Sequence, residues 1–202
     1  MPNKEIRDQA IVIDAINFGD YDKIITLLTF QHGILSAIVK RGNSPKYFSP
    51  ALISPLTIGE YVLREQKGEL LRFLDGSILD PQMALREDYD RLECAGKIVN
   101  TIKTRLLPNK KVDTLYLLTQ KLLYALQKGY NPRNIYAVFL IKFLLYEGLI
   151  SQNHITDISM LRYENEIIKK IISERSITKL AAINIESRFA KKIYKIFEIS
   201  FH

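Results

Sequence analysis

Apolar and polar residues alternate through Ile11, Ile13 and Ala15 and on to Phe18, which predicts a β-strand ending at the turn-forming run Gly19-Asp20-Tyr21-Asp22. Lys23 to Phe30 is rich in β-branched residues and stops at Gln31-His32-Gly33, where the glycine can take a positive φ, before Ile34 to Val39 resumes the apolar pattern. Lys40 to Pro50 holds Gly42, Asn43, Pro45 and Pro50, too many breakers for a strand. Leu56 to Arg64 and Leu70 to Leu79 give two more strands around Glu65-Gln66-Lys67-Gly68, a turn of hairpin length. The expected module is five short antiparallel strands with a long connection after the third.

From Pro81 the period changes to 3.6. Leu92, Ala95, Ile98, Val99, Ile102 and Leu106 form a stripe on a helix that stops before Pro108, and Leu115, Leu118, Leu122 and Leu126 form another, with Gly129 just past its end. Asn131-Pro132 predicts the start of a third helix and Gly148 its stop; the residues between are apolar nearly all round, which places that helix at the centre of a helical core. Ser151 to Ser159 reads as a polar connection, Leu161 to Ile172 as a shorter helix, and Asn184 as the cap of a last one bearing Ile185, Phe189, Ile193, Ile196 and Phe197. The expected class is therefore α+β, strands first and helices after: a five-stranded OB-fold barrel over residues 1–80 and an all-helical domain over 81–202, with an SH3-like barrel as the alternative for the first.

Composition narrows the classes. The chain has 202 residues, 47% of them hydrophobic and 25% charged, ordinary for a folded globular protein. Its N-terminus has no apolar core of the signal-peptide type, and the run Ile135 to Tyr146 is interrupted by Lys142 and too short to span a bilayer, so a cytoplasmic protein is expected. Cys94 is the sole cysteine, and His32, His154 and His202 are scattered, so neither a disulfide nor a metal or cofactor site is expected. Phosphate-cradling glycine loops and the serine-nucleophile elbow are missing. Asp20 with Asp22 reads as part of a turn, and Glu87 with Asp88 and Asp90 as acids favoured at a helix N-terminus, so no enzyme is expected. Cys94 reads as a small packed residue.

Charge adds a positive signal. The net +7 is uneven: residues 1–80 hold nine Lys and Arg against ten Asp and Glu, whereas 81–202 hold twenty against twelve. Within Lys97 to Lys142 the basic residues Lys97, Lys103, Arg105, Lys110, Lys111, Lys121, Lys128, Arg133 and Lys142 face one acid, Asp113. A merely solvated set of helix faces normally mixes signs, so this cluster points to phosphates. In the loop after the third strand, Lys40, Arg41 and Lys46 flank Tyr47 and Phe48, whose rings either stack on unpaired bases or plug one end of the barrel.

These pieces resemble a known family. GDYDKIITLLT (Gly19 to Thr29), HGILSAIVKRG (His32 to Gly42), Pro45-Lys46, KGELLR (Lys67 to Arg72), LRED (Leu85 to Asp88), RLLP (Arg105 to Pro108) and FLIKFLLYEGLI (Phe139 to Ile150) resemble RecO, the bacterial recombination mediator family, in order and spacing. The resemblance covers about residues 10 to 150. It implies an OB-fold joined to a helical domain that binds single- and double-stranded DNA, anneals complementary strands and helps load the RecA recombinase onto strands coated by single-strand binding protein, working with RecR at the nucleoid. It also implies that Lys40, Arg41 and Lys46 are the family's basic loop after the third strand. Many members carry a four-cysteine zinc module after the helix that ends here at Gly148; Ser151 to Asp157 has no cysteine, so zinc does not carry over. An RNA-binding OB protein or a protein-interaction adaptor are the alternatives that the basic residues alone leave open.

Overall fold

A computed structural model describes residues 4–44, 49–106, 112–150 and 161–201. Five strands come first: β1 (Glu5–Phe18), β2 (Asp22–Thr29), β3 (Ile34–Val39), β4 (Ile58–Arg64) and β5 (Leu71–Asp80), with a short 3-10 turn at Pro50–Ile53. Helices α1 (Met83–Arg86), α2 (Tyr89–Arg105), α3 (Asp113–Gln127), α4 (Pro132–Glu147), α5 (Arg162–Ser173), α6 (Ile177–Ala181) and α7 (Ser187–Ser200) follow.

The strands close into a barrel in the order β1-β2-β3-β5-β4, with β1 pairing β4 and a short parallel contact, Ala37 with Leu71 and Ile38 with Arg72, joining β3 to β5. That order is the OB-fold, as the strand pattern led one to expect. Alternate residues fill the interior: Ala10, Val12, Ile25, Leu27, Ala37, Val39, Tyr61, Leu63 and Phe73 are buried together, with Leu52 and Ile53 of the 3-10 turn plugging the same core. The Tyr61 hydroxyl donates to the Leu52 carbonyl at 2.8 Å, so the buried phenol is satisfied. Gly59 is required where β4 crosses β5 closely, because a Cβ there would lie 2.6 Å from the Ser77 carbonyl oxygen.

Two features of β1 escaped the sequence pattern. It begins at Glu5 rather than near Ile11, because Glu5 to Ile11 pair with Arg64 to Ile58 of β4. Asp8, a polar residue in that extension, is buried and accepts hydrogen bonds from the Gln31 backbone N–H and from His32 Nδ1, both at 2.8 Å. Beyond Val12 the pairing with β2 shifts by one residue, a β-bulge. Because strand side chains alternate with period two, one inserted residue turns every later side chain over: Ala15 faces the interior, and Asp14, Ile16 and Phe18 face outward.

The chain partitions into two compact units, Met1–Met83 with Val99–Gln120, and Ala84–Ile98 with Lys121–His202. In the first, Ile11 and Leu28 are opposite one another on the outer side of the barrel and both are buried, while the Phe30 ring meets Tyr116 of α3 edge-on at 5.5 Å. In the second, α4 packs against α5, α6 and α7. It starts and stops where the sequence indicated: the Asn131 side chain accepts from the Arg133 N–H at 3.0 Å, and Gly148 ends the helix with φ +74°. Phe143 lies 6.0 Å from Phe197, and Tyr136 5.3 Å from Tyr194, ring to ring.

The last helix differs from expectation. It begins at Ser187, with Glu186 rather than Asn184 at the cap. Ile183 and Ile185 are buried in an extended run before it, where the Ile185 N–H donates to the buried Asn134 side chain at 3.3 Å. The connection read at Ser151 to Ser159 lies outside the described residues.

Candidate nucleic-acid interface

The turn between β1 and β2 and the loop after β3 are knit together. Asp22 opens β2, and its carboxylate accepts from the Lys40 ammonium at 2.7 Å and from the Arg41 backbone N–H at 2.9 Å. The Lys40 hydrogen bond, then the one from Arg41, hold the Asp22 carboxyl below its ordinary range against a smaller upward push from desolvation. Asn43 adds two contacts, its N–H to the Tyr21 carbonyl at 3.0 Å and its side-chain amide to the Asp20 carbonyl at 3.2 Å. Arg41 sits at φ +56°, a left-handed conformation that costs a non-glycine residue energy and is held by these bonds.

The outer face of β1, β2 and β3 runs away from that corner. Cross-strand partners share a face, so Phe18 lies with Asp22, and Ile16 with Ile24 and Ile38, while Lys40, two residues beyond Ile38, belongs to the same side. Arg72 of β5, partner of Ile38, is exposed. At the far end Asp14 accepts from the Lys103 ammonium of α2, again at 2.7 Å. Ile16 and Phe18, between the two lysines, are 52% and 51% exposed, and Tyr21 in the turn is 72% exposed. Phe18 is four positions beyond Asp14 along β1, so the two lysine–aspartate pairs stand about 13 Å apart. The result is an apolar strip with an ammonium at each end.

The remaining basic residues scatter. Lys46, Tyr47, Lys110 and Lys111, with Phe48, lie outside the described residues. Arg105 is the half-buried last residue of α2. In the second unit Lys121 is exposed on α3 and Lys128 just past its end, with the Lys128 ammonium 5.1 Å from the centre of the Tyr124 ring. Two members of the wider cluster have structural partners: Lys97 pairs with Glu93 at 3.0 Å, and Lys142 donates to the carbonyls of Ile172 and Glu174 at the end of α5. Burial pulls the Lys142 ammonium below its ordinary value.

Arg133 borders a cleft of about 340 Å³ in the second unit. Its lining mixes Arg133 and Lys97 with Asp90 and Glu93, and includes the rings of Tyr136 and Tyr194. Cys94 also lines it, with the thiol donating to the Pro132 carbonyl at 3.2 Å and burial pushing its pKa up to about 12, an unreactive packed thiol. Among the described residues no group of three or more His, Cys, Asp or Glu side chains is placed to hold a metal ion. No described helix is long and apolar enough to cross a membrane.

Residues that sequence reasoning passed over, Ile16, Phe18, Tyr21 and Arg72, make up much of the outer face. Ile16 and Phe18 were hidden by the bulge, which a strict alternation cannot anticipate. Tyr21 stood beside two aspartates in a run that reads as a turn.

Residues 1–82, the whole barrel, match the model of the family described as recombination protein O N terminal. Over its barrel the chain is similar to the RecO family. Similar curated proteins are the DNA repair protein RecO of Chlamydia pneumoniae, 25% identical over 140 residues, that of Caldicellulosiruptor bescii, 29% over 150, and that of Chlorobium luteolum, 27% over 145. These alignments cover 69%, 74% and 71% of this chain, and 55%, 61% and 55% of the respective RecO proteins. The chain thus spans little more than half the length of the RecO proteins it matches.

Proposed function

We propose that the chain is a non-enzymatic, DNA-binding recombination mediator in DNA repair, which anneals complementary single strands and, together with RecR, assists loading of the RecA recombinase onto strands coated by single-strand binding protein. The observation that carries the reading is the outer face of β1 to β3, an apolar strip with Lys40 at one end and Lys103 at the other. Phosphates bind ammonium groups and bases bind apolar or aromatic surface, so a face that offers both in a line suits an extended strand. By their place in the sequence, Lys46 after Lys40, and Lys110 and Lys111 after Arg105, extend the basic set, Tyr47 adds a ring beside Lys46, and Lys121, Lys128 and Arg133 supply further basic residues in the helical part. Neutralising phosphates on two strands lowers their mutual repulsion, which is what annealing requires. The barrel of residues 1–80 and the helical part of 81–202 act as the two functional domains in this reading.

The test is annealing of complementary strands coated with single-strand binding protein, measured with and without RecR, beside titrations of matched DNA and RNA strands at two salt concentrations. Annealing that RecR modulates supports the proposal. A clear preference for RNA with no annealing overturns it, as does absence of oligonucleotide binding at low salt.

A further inference from the structure

The β1–β2 hairpin ends in two aromatic residues more than half exposed, Phe18 at the last position of β1 and Tyr21 in the turn. Phe18 has no polar atom to favour such a position, yet its own fold leaves half of it exposed: its cross-strand partner is Asp22, and Ile16, its neighbour on the same face, is as exposed. Exposed apolar groups gathered at one place mark a surface that meets a ligand.

The charges around the tip say which part of a ligand goes where. Asp20 and Asp22 lie within the hairpin end itself and repel a phosphate there, whereas the Lys40 ammonium, hydrogen-bonded to the Asp22 carboxylate, is on the same face beside Phe18. A nucleotide fits that arrangement in one sense: base over the rings, phosphate toward Lys40. The rings need open base faces, which a duplex keeps hidden in its own stack. A duplex would instead bring two phosphate backbones to a tip that carries two carboxylates.

We propose that unpaired bases stack on Phe18 and Tyr21, so that the barrel face selects single-stranded over duplex nucleic acid. This rests on the reading of that face as a nucleic-acid surface. It places the stacking rings on the β1–β2 hairpin, in addition to any contribution from Tyr47 and Phe48.

The test uses the full chain with a fluorescently labelled oligonucleotide, single-stranded or in its matched duplex. Phe18→Ala and Tyr21→Ala should each weaken single-strand binding by roughly 5-fold or more, the loss of one base–ring stack, and change duplex binding little. Thermal unfolding should shift little, because both rings are more than half exposed. The chain contains no tryptophan, so Phe18→Trp supplies a lone reporter that should keep single-strand affinity and be quenched by the strand but not by the duplex. Unchanged single-strand affinity in both alanine variants, with an unquenched tryptophan, overturns the inference and leaves the tip as a protein-docking surface. If the unsubstituted chain binds neither form, the underlying functional reading falls, and that result is distinct from wild-type binding that the alanine variants leave intact.

Discussion

The Asp14 carboxylate accepts a hydrogen bond from the Lys103 ammonium at 2.7 Å, joining the bulged part of β1 to the end of α2 across 89 positions of sequence. Lys40 and Asp22 make the same contact at the other end of the sheet face. In the proposed reading, each lysine thus already holds an anion at the place a phosphate would take. Both pairs reach solvent, and ion pairs of that kind exchange partners at small cost.

Replacing Asp14 by Asn should therefore raise single-strand affinity, by up to about five-fold, the worth of one unit charge at close range in water. Stability should fall by less than about 1 kcal/mol, because the pair is exposed. Oligonucleotide titration and thermal melts measure the two effects. Asp75→Asn, on the exposed side of β5, is the control; an equal gain there would assign the effect to net charge alone.

Salt dependence checks the lysines themselves. Lys40→Ala and Lys103→Ala should each reduce the slope of log affinity against log salt by about 0.7 for a single strand, and the double variant by about twice that. An unchanged slope would show that the ammonium in question does not reach a phosphate.

Lys142 should behave oppositely. Its ammonium caps the carbonyls of Ile172 and Glu174, so Lys142→Ala is expected to cost about 1–2 kcal/mol of stability. Its oligonucleotide affinity and salt slope should match those of the unsubstituted chain. Denaturant unfolding beside a binding titration separates the two.

Glu164 in α5 gives a pH signature. The carboxylate is buried, accepts from the Lys192 ammonium at 2.7 Å and closes the helix start by accepting from the Leu161 N–H at 2.9 Å. Burial alone would raise its pKa, but the Lys192 hydrogen bond, the Leu161 N–H and the nearby Lys192 and Arg188 charges outweigh it and hold the group below its ordinary range. A depressed folded value means that the stabilisation is complete above the unfolded pKa, about 4.3, and is lost as pH falls through the folded one. Glu164→Gln should cost about 1–3 kcal/mol near neutrality. The gap from the unsubstituted chain should close in acid, read from melts across a pH series.

The sequence by itself determined the order and kind of the elements. Strands β2 to β5 and helices α2 to α4 sit within a few residues of where alternation, turn residues and caps put them, because those signals are local: Gly33 and Gly148 do take positive φ, and Asn131 does cap α4. The family resemblance was legible for the same reason, in short motifs whose order survives in the chain. Residues such as Leu85 and Gly148 in those motifs serve burial and helix termination.

Tertiary structure decided the rest. The early start of β1 depends on partners in β4 about fifty positions away, and Asp8 can be buried only because the β2–β3 turn returns to satisfy it. One bulge, which no local pattern announces, turned Asp14, Ile16 and Phe18 to the outside and so made the face itself. Pairing also sorted equal charges into unequal roles. Lys103 and Lys142 look alike in the sequence, yet one ends on a carboxylate at the rim of an exposed apolar strip and the other on helix-end carbonyls, because the folded chain brought each a different acceptor.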